Sequence, residues 1–441
     1  MNNSLGIDFK FGSFIKFTIP SIIMMMFFAL YTIIDGIFIS RYVGANALSA
    51  TNIVYPLINI LLGIGTMITA GGSALVSKSL GEGKEEEAKN TFSFLAFISI
   101  VIGLVVILIS FIFLKPLIYM LGATEDLYKY CFEYVFIFLL AAPFILLKIY
   151  FDYFLITAGN PKLGLLCSLL GGITNIVLDY VFILPLNMGI SGAALATALG
   201  YVVPSIIGIV YFSKKDKILH FVKPKFNINA LLKSCFNGSS EMINQISSAV
   251  TTFLYNITLI QLLGEKGVAA ITMILYSQFL LNSTYIGFVS GSSPIIGYNH
   301  GSKNKALLRR VIKYAYIFIG ILTILSFTLS VISATTIIGV FSGSDKELYN
   351  ISLEGFKIFM IAFLGSGFNI FTSGMFTALS DGKTSAILSL LRTFVFFIIG
   401  IIILPKLLGV NGVWLVVPVS EALTLIISMY YFKKYKNVYL Y

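Results

Sequence analysis

Charge is scarce in this chain. Only 11% of its 441 residues are charged, 58% are hydrophobic and the mean hydropathy is +0.94, whereas about a quarter of an ordinary soluble domain is charged. Because soluble cores stop growing near roughly 250 to 300 residues, the surplus apolar surface requires a second solvent. The composition therefore excludes a soluble globular protein and places the chain in a lipid bilayer.

Histidine and cysteine are almost missing as well. His220 and His300 lie in polar connections, and Cys131, Cys167 and Cys235 show no CxxC spacing, so metal-centre and disulfide architectures have little material. No apolar run contains a histidine, and no Cys or Ser has an acid or base at a readable spacing. We therefore interpret these five residues as structural and expect no cofactor and no enzymatic activity.

Long apolar runs make up most of the remainder, and none shows the ten-residue alternation of a membrane β-barrel. They predict an all-α integral membrane protein, because every backbone amide in lipid needs an internal partner. The opening MNNSLGIDFKFGSFIKF lacks a signal-peptide pattern, so we expect the first helix to be retained. The twelve predicted spans lie near 14–40, 51–77, 92–114, 131–157, 163–184, 190–212, 234–260, 268–296, 311–341, 351–379, 384–404 and 412–432.

The positive charges are distributed unevenly between the two sides of these spans. Connections on the side of the termini carry 21 of the 30 Lys and Arg residues, the opposite side carries 6, and Lys148, Lys357 and Arg392 lie inside spans. Since cytoplasmic loops are enriched in Lys and Arg, this bias predicts cytoplasmic termini in the cell (plasma or inner) membrane. The net charge of +11 follows from this topology, and no nucleic-acid partner is expected.

The sequence repeats itself at a constant offset of 220 residues. GANALSAT at Gly44 resembles GEKGVAAIT at Gly264, and LPLNMGISG before Gly192 resembles LPKLLGVNG before Gly412. Six spans per copy give both halves the same orientation, related by an axis along the membrane normal. We predict an N-lobe at 1–213, a basic cytoplasmic linker at 214–229 and a C-lobe at 230–441.

Acids inside the spans are the strongest candidates for functional residues, because placing a charged carboxylate at mid-membrane costs roughly 2.5 to 3.5 kcal/mol. Asp35, Asp179 and Thr197 fall at one depth, about 8 to 10 Å below the outer surface at 1.5 Å per residue. Asn175 lies one turn from Asp179 on the same face. The four residues can share a proton or offer hard oxygens to Na⁺.

The repeat supplies a control for this cluster. Its counterparts in the second copy are Tyr255, Val395, Ile399 and Val417, none of which ionises near neutral pH. A purely architectural role, with the acids tying neighbouring helices together, would be expected to survive in both copies. The asymmetry therefore favours one cation-coupling site, in the first half.

A second polar pattern lies on predicted span 7, where Glu241, Asn244, Gln245 and Ser248 form one stripe. We interpret it as the polar wall of a central cavity, with polar contacts between helices as the alternative. Asp152 follows Lys148 by four residues and predicts a structural ion pair. Glu421 either lines the cavity or bonds a neighbouring helix, with Arg392 as its partner. Three further residues are assigned to the cavity and its opposite apolar wall on span 1, namely Tyr255, Met24 and Met25.

The chain resembles the multidrug and toxic compound extrusion (MATE) family. The similarity covers nearly the whole chain and includes GGSALVSKSLGEGKEEEAK (71–89) and NIVLDYVFILPLNMGISGAALATALG (175–200), of which the second stretch is quite specific. It implies two six-helix lobes, alternating access, and export of cationic or amphipathic small molecules in exchange for H⁺ or Na⁺.

The resemblance also assigns positions. Asp35, Asn175, Asp179 and Thr197 match the family's first-lobe cation site, and Pro20 matches its bending proline. No acid lies between Glu354 and Asp381, so we expect no sodium site in the second lobe.

We favour H⁺ as the coupling ion, because one shared proton suffices, and expect a monomer. The alternative function is a flippase for a lipid-linked sugar.

Overall fold

The computed structural model describes residues 5–343 and 345–439, and all regular structure within those ranges is helical. The first half contains seven helices, and α1 continues into a π-helical turn at Ile39–Val43. Their bounds are α1 Phe11–Phe38, α2 Ala45–Gly81, α3 Glu85–Met120, α4 Glu125–Leu140, α5 Ala142–Thr157, α6 Pro161–Ile183 and α7 Gly189–Phe212.

A short helix, α8 (Ile228–Asn237), follows the connection between the halves. The second half contains the longest helix, which has 63 residues, and two irregular turns, a 3₁₀ turn at Met360–Ala362 and a π-helical turn at Leu391–Val395. Its helices are α9 Ser239–Gly301, α10 Lys305–Ser342, α11 Lys346–Phe359, α12 Phe363–Ala378, α13 Gly382–Leu390, α14 Phe396–Leu408 and α15 Val410–Tyr439.

These helices account for the twelve predicted spans. In the described residues, ten helical stretches are long and apolar enough to cross a membrane, and α4 with α5, bent by 57°, makes an eleventh. Helix α9 contains a non-helical residue, Gly264, with φ of 64° and ψ of −154°. Counted as two segments about that break, α9 supplies the twelfth span.

The structure corrects the prediction at three places. Predicted span 7 begins at Ser239 and not at residue 234, because Gly238 separates it from α8. Predicted span 4 bends at Ala141, where Pro143 begins a new helix, and proline cannot supply the amide of a continuous helix. Predicted span 10 is interrupted at the equivalent position, by the 3₁₀ turn at Met360–Ala362.

The internal repeat is visible in the backbone. Gly44 and Gly264, 220 residues apart, both take positive φ, at 117° and 64°. Gly189 and Gly409, also 220 apart, take φ of 58° and 59°. Glycine adopts this left-handed region without steric cost, so each half turns between its helices at the same places.

The two halves pack together at the ends of α2 and α9. A methyl group added at Gly81 would overlap the backbone carbonyl of Tyr298, and one added at Gly301 would overlap the carbonyl of Lys78. The helix backbones therefore touch on the side where the chain termini lie. The two halves are therefore in direct backbone contact at that end of the molecule.

The connection between the halves is fixed to the first half. The amide of Val222 donates to Ser93 Oγ at 2.9 Å, and the ring of Phe221 stacks on Phe92 at 5.3 Å between centroids. Leu219 is completely buried against the same cluster. The neighbouring Lys214 and Lys215 are exposed, as expected for a solvated basic stretch.

Candidate ion-coupling site

Three helices of the first half hold the polar cluster. Helix α6 lies against both α1 and α7, and it approaches α1 so closely at Gly172 that a Cβ there would lie 2.5 Å from the Phe27 ring. Asp35 projects from α1, Asn175 and Asp179 project from α6, and Thr197 projects from α7. The packing of these helices brings the four side chains to one place inside the half.

The carboxyl groups of Asp35 and Asp179 lie close enough to interact electrostatically. Two neighbouring carboxylates repel each other when both are ionised, so such a pair favours the binding of a proton or a cation. Asp179 is completely buried, whereas Asp35 is half-buried. One member of the pair is therefore shielded from water and the other is partly accessible.

The oxygens around this pair have few donors. Four oxygens are buried and receive no hydrogen bond from the described residues, namely Oδ1 of Asp35, both carboxylate oxygens of Asp179 and Oδ1 of Asn175. Asn175 Nδ2 donates to Thr197 Oγ1 at 3.3 Å, which turns the amide oxygen away from Thr197. Buried oxygens of this kind are costly unless a proton or a cation satisfies them.

The donor set suits a hard cation. Carboxylate, amide and hydroxyl oxygens are the ligands that hard cations such as Na⁺ prefer. In the described part of the chain, no three side chains of the types His, Cys, Asp and Glu gather into a metal site. The chemistry available is therefore the binding of a proton, or of one cation by neutral and anionic oxygens.

Two tyrosines near the acids were missed by the sequence analysis. Tyr31 interacts electrostatically with Asp35 and Asp152, and Tyr134 interacts with Asp35 and Asp179. Tyr31 precedes Asp35 by four residues, and residues at that spacing share a helix face. That spacing was a usable signal for Tyr31, whereas nothing in the sequence places Tyr134 near the pair.

The predicted ion pair on α5 is confirmed. Lys148 Nζ lies 2.7 Å from Asp152 Oδ2, and both side chains are buried. The ammonium also lies 5.0 Å from the centroid of the Phe28 ring and 5.7 Å from that of Tyr201. Asp152 is thus neutralised by a base of its own, unlike Asp35 and Asp179.

Among the described residues of the second half, one acid is buried, Glu421 on α15. Its contacts support the second of its two predicted roles, the bond to a neighbouring helix. Arg392 Nε donates to Glu421 Oε1 at 2.9 Å, and Asn369 Nδ2 donates to Glu421 Oε2 at 2.7 Å. Ser428 Oγ in turn donates to Asn369 Oδ1 at 2.9 Å. Glu421 therefore ties α12, α15 and the π-helical turn of Arg392 together.

The stripe on α9 becomes more accessible along the helix. Glu241, Asn244 and Gln245 are half-buried, and Ser248 and Thr252 are exposed. Glu241 interacts electrostatically with Arg392. Its carboxylate is also within electrostatic range of Tyr153 on α5. Glu241 therefore lies where α5 of the first half faces the second half.

The structure corrects two of the residues assigned to the cavity. Tyr255 is completely buried, because its ring packs edge-on against Phe397 in the core of the second half. Met24 is 1% exposed, and its sulfur lies against Gly164 of α6. Neither side chain reaches a cavity in this structure. Met25, on the next position of α1, is half-buried.

Helix α1 belongs to both halves. Before Pro20 and just after it, α1 packs on α9, with the Phe14 ring 5.9 Å from Phe288 and Ile22 against Gly287. From Met24 onward it packs on the first half, including α6. Pro20 faces an apolar crevice of about 500 Å³ between α1 and α10. The helix runs unbroken through Pro20, which lies within the stretch that packs on α9, about one turn before the contacts with the first half begin at Met24.

Two repeated six-span halves with a buried, donor-poor acid pair in one of them define a two-lobed membrane transporter. A sequence profile described as MatE matches residues 20–181 and again residues 242–403. The chain belongs to this family, the multidrug and toxic compound extrusion transporters, and is a multi-pass membrane protein.

Individual relatives are distant but cover nearly the whole chain. The multidrug export protein MepA of Staphylococcus saprophyticus is 25% identical over 412 residues, which are 92% of this chain and 88% of MepA. An outward-facing multidrug resistance MATE family transporter of the MOP superfamily matches with a TM-score of 0.93, 23% identity and coverage of 100% and 99%. A MOP superfamily transporter from Pyrococcus furiosus matches with a TM-score of 0.92, 22% identity and the same coverage. These structures share the two-lobed fold.

Proposed function

We propose that this protein is a cation-coupled antiporter that exports cationic or amphipathic small molecules, and that Asp35, Asn175, Asp179 and Thr197 form its coupling site. The observation that carries the proposal is the pair of neighbouring carboxyl groups, whose buried oxygens no described donor satisfies. Such a site changes its charge and its contacts when a proton or Na⁺ binds or leaves. We favour H⁺, because one proton on the pair is enough to remove the repulsion between its two carboxylates.

The proposed mechanism runs through α1. Asp35 lies on the part of α1 that packs against the first half, whereas the part before Pro20 packs against α9. A cation that alters the contact of Asp35 with Asp179 shifts one part of α1 relative to the other, about a residue that cannot donate its backbone hydrogen bond. The shift lowers substrate affinity on the outer side, and substrate must lower cation affinity by the same factor.

The proposed substrate cavity lies between the halves, with Glu241 as the counter-charge for a cationic substrate. Its carboxylate is only partly compensated, because Arg392 makes its direct ion pair with Glu421. The stripe continues toward the exposed Ser248 and Thr252. A positively charged amphipath would place its cation near Glu241 and its apolar body along the half-buried Met25 side of the cavity.

The flippase alternative has less support. Recognition of a lipid pyrophosphate requires free Arg or Lys side chains, yet Lys148 is paired with Asp152 and Arg392 with Glu421. Lys357, the third basic residue inside the predicted spans, is exposed near the end of α11. The staphylococcal relative MepA is a multidrug export protein, which favours the antiporter.

We further propose a plasma-membrane location with both termini in the cytoplasm, supported by the distribution of Lys and Arg. We retain the boundaries 1–213 and 230–441 for the two lobes, with the linker between them, and a monomeric state. Labelling of single cysteines introduced at exposed positions such as Lys215 and Lys129 with a membrane-impermeant reagent tests the topology. Labelling of Lys215→Cys from outside intact cells would contradict it.

The decisive experiment uses purified protein in proteoliposomes. Efflux of a cationic dye is followed with a pH gradient alone and with a Na⁺ gradient alone, for wild type, Asp35→Asn and Asp179→Asn. We expect one gradient to drive efflux in wild type and both variants to fall to the rate of empty liposomes. Retention of gradient-driven efflux by both variants would exclude the proposed site.

A matched control is available in the linker. Asp216 is exposed and pairs only with its neighbour Lys217, so Asp216→Asn makes the same chemical change outside the membrane. This variant should transport at the wild-type rate. If wild type itself shows no movement of dye with either gradient, lipid-linked substrates become the next to be tested.

A further inference from the structure

The structure carries a basic groove away from the transport site. It lies between the first turns of α10 and the last turns of α15 and has a volume of about 600 Å³. Arg309, Lys313 and Lys436 form its rim, and Ile317 and Phe432 belong to its apolar floor. Among the described residues, none that lines the groove is acidic. Both helix ends lie on the side of the chain termini.

The three cations of the groove are uncompensated. None of them has an ion pair or a hydrogen bond in the described part of the chain, although the adjacent Arg310 pairs with Asp8 at 2.5 Å. Arg309 and Lys313 are one turn apart on α10, a spacing at which like charges repel. All three side chains are exposed. Their gathering around one groove therefore indicates a negatively charged occupant.

The floor of the groove identifies the class of that occupant. Ile317 is 45% exposed, and Ile321 and Ile324, which follow on α10, are 51% and 68% exposed. An apolar face of this kind continues from the groove toward the acyl chains of the bilayer. A phosphate head between the basic side chains and a hydrocarbon chain along this face would satisfy both parts of the groove.

We propose that the basic groove binds an anionic phospholipid of the cytoplasmic leaflet, with its phosphodiester between Arg309, Lys313 and Lys436. Each basic group near an anionic headgroup contributes about 1 kcal/mol, which corresponds to about a fivefold change in affinity per charge. The site is independent of the acid pair, which lies in the other half of the molecule.

Native mass spectrometry of the protein titrated with phosphatidylglycerol tests the proposal, with phosphatidylcholine as the neutral comparison. Wild type should retain one phosphatidylglycerol in preference to phosphatidylcholine. The triple variant Arg309→Gln, Lys313→Gln, Lys436→Gln should bind about 100-fold more weakly. The matched control Lys214→Gln, Lys215→Gln, Lys225→Gln removes the same charge from the linker and should bind like wild type.

Three outcomes would overturn the proposal. Equal phosphatidylglycerol binding by wild type and the groove variant, with both shown to be folded by far-ultraviolet circular dichroism, would place the lipid elsewhere. Displacement of phosphatidylglycerol by inorganic phosphate at the same concentration would make the groove a site for a soluble anion, because such an occupant needs no apolar floor. Equal losses in the groove and linker variants would show an unspecific charge effect.

Discussion

The two halves treat buried acids in opposite ways. In the second half, Glu421 receives hydrogen bonds from Arg392 and Asn369, so both carboxylate oxygens are satisfied. In the first half, Asp35 and Asp179 have each other and no base, and their buried oxygens receive nothing from other described residues. The halves share one fold and one repeat, so the fold itself does not require the difference.

This contrast separates structural acids from functional ones. A carboxylate that only joins helices is stabilised by a permanent basic partner, as Glu421 and Asp152 are, because an uncompensated charge in the membrane is energetically costly. A carboxylate that must bind and release a cation cannot have a permanent basic partner. The donor-poor environment of Asp35 and Asp179 is therefore what an ion-coupling role demands.

The largest expected effect on stability comes from removing the basic partner of Glu421 in the second half. Arg392→Met leaves Glu421 buried without its base, and we expect a loss of about 3 kcal/mol in the free energy of unfolding, measured by thermal unfolding in detergent. Arg41 is exposed and has no ion pair in the described residues, so Arg41→Met serves as the matched control. A loss no larger than in that control would show that Glu421 does not depend on Arg392.

The Lys148–Asp152 pair gives the next effect, through a double-mutant cycle. Each single replacement, Lys148→Met or Asp152→Leu, strands one buried charge, whereas the double variant strands none. We expect the double variant to recover about 2 kcal/mol relative to the sum of the single losses. Additive losses, read from the same unfolding curves, would mean that the pair is not coupled.

The uncompensated acids should respond in the opposite way. Asp179→Asn removes a charge without removing a base or donor, so we expect stability within about 1 kcal/mol of wild type or above it, while coupled efflux is lost. Asp216→Asn is again the control. Unfolding of Asp179→Asn with a loss like that of Arg392→Met would make Asp179 a structural acid and end the contrast between the halves.

The smallest effect lies at the outer end of the second half. The backbone amide of Leu348 and the ammonium of Lys266 hold the pKa of Asp345 below its usual 3.8, so its stabilising contribution is present above that value and disappears as the pH falls through the lowered pKa. The protection of the Glu347 and Leu348 amides from hydrogen exchange, corrected for the pH dependence of intrinsic exchange, should persist as the pH falls to the usual value of 3.8 and should be lost below it. In Asp345→Ala this protection should be low at every pH. Equal protection in both proteins would contradict the cap.

The spans were predictable because length and apolarity decide whether a segment can cross a bilayer. The interruptions were not, although Pro143 in predicted span 4 was a signal that hydropathy averages away. The 3₁₀ turn at Met360–Ala362 has no proline and depends on how α11 and α12 pack. Asp35 and Asp179 were predicted as a pair because both lie at the same depth in the membrane, and acids at one depth on neighbouring helices can meet.

The faces of the helices were harder to predict. Tyr255 and Met24 fall on the helix sides that pack against Phe397 and α6, and an amphipathic pattern is weak where both lipid and core are apolar. Arg392 was predicted as a partner of Glu421, with the cavity left as an alternative. Only packing shows that Asn369 completes their contact.

The contact between α2 and α9 has a consequence for the origin of the chain. Gly81 meets Tyr298, and Gly301 meets Lys78, and each residue in the first contact has its repeat counterpart in the second. Reciprocal contacts of this kind are the signature of a homodimer with a two-fold axis. A six-helix ancestor with this surface would already pair with a second copy of itself, so gene duplication and fusion needed only to join two chains that fitted together. The one-sided acid pair then marks where the joined copies stopped being equivalent.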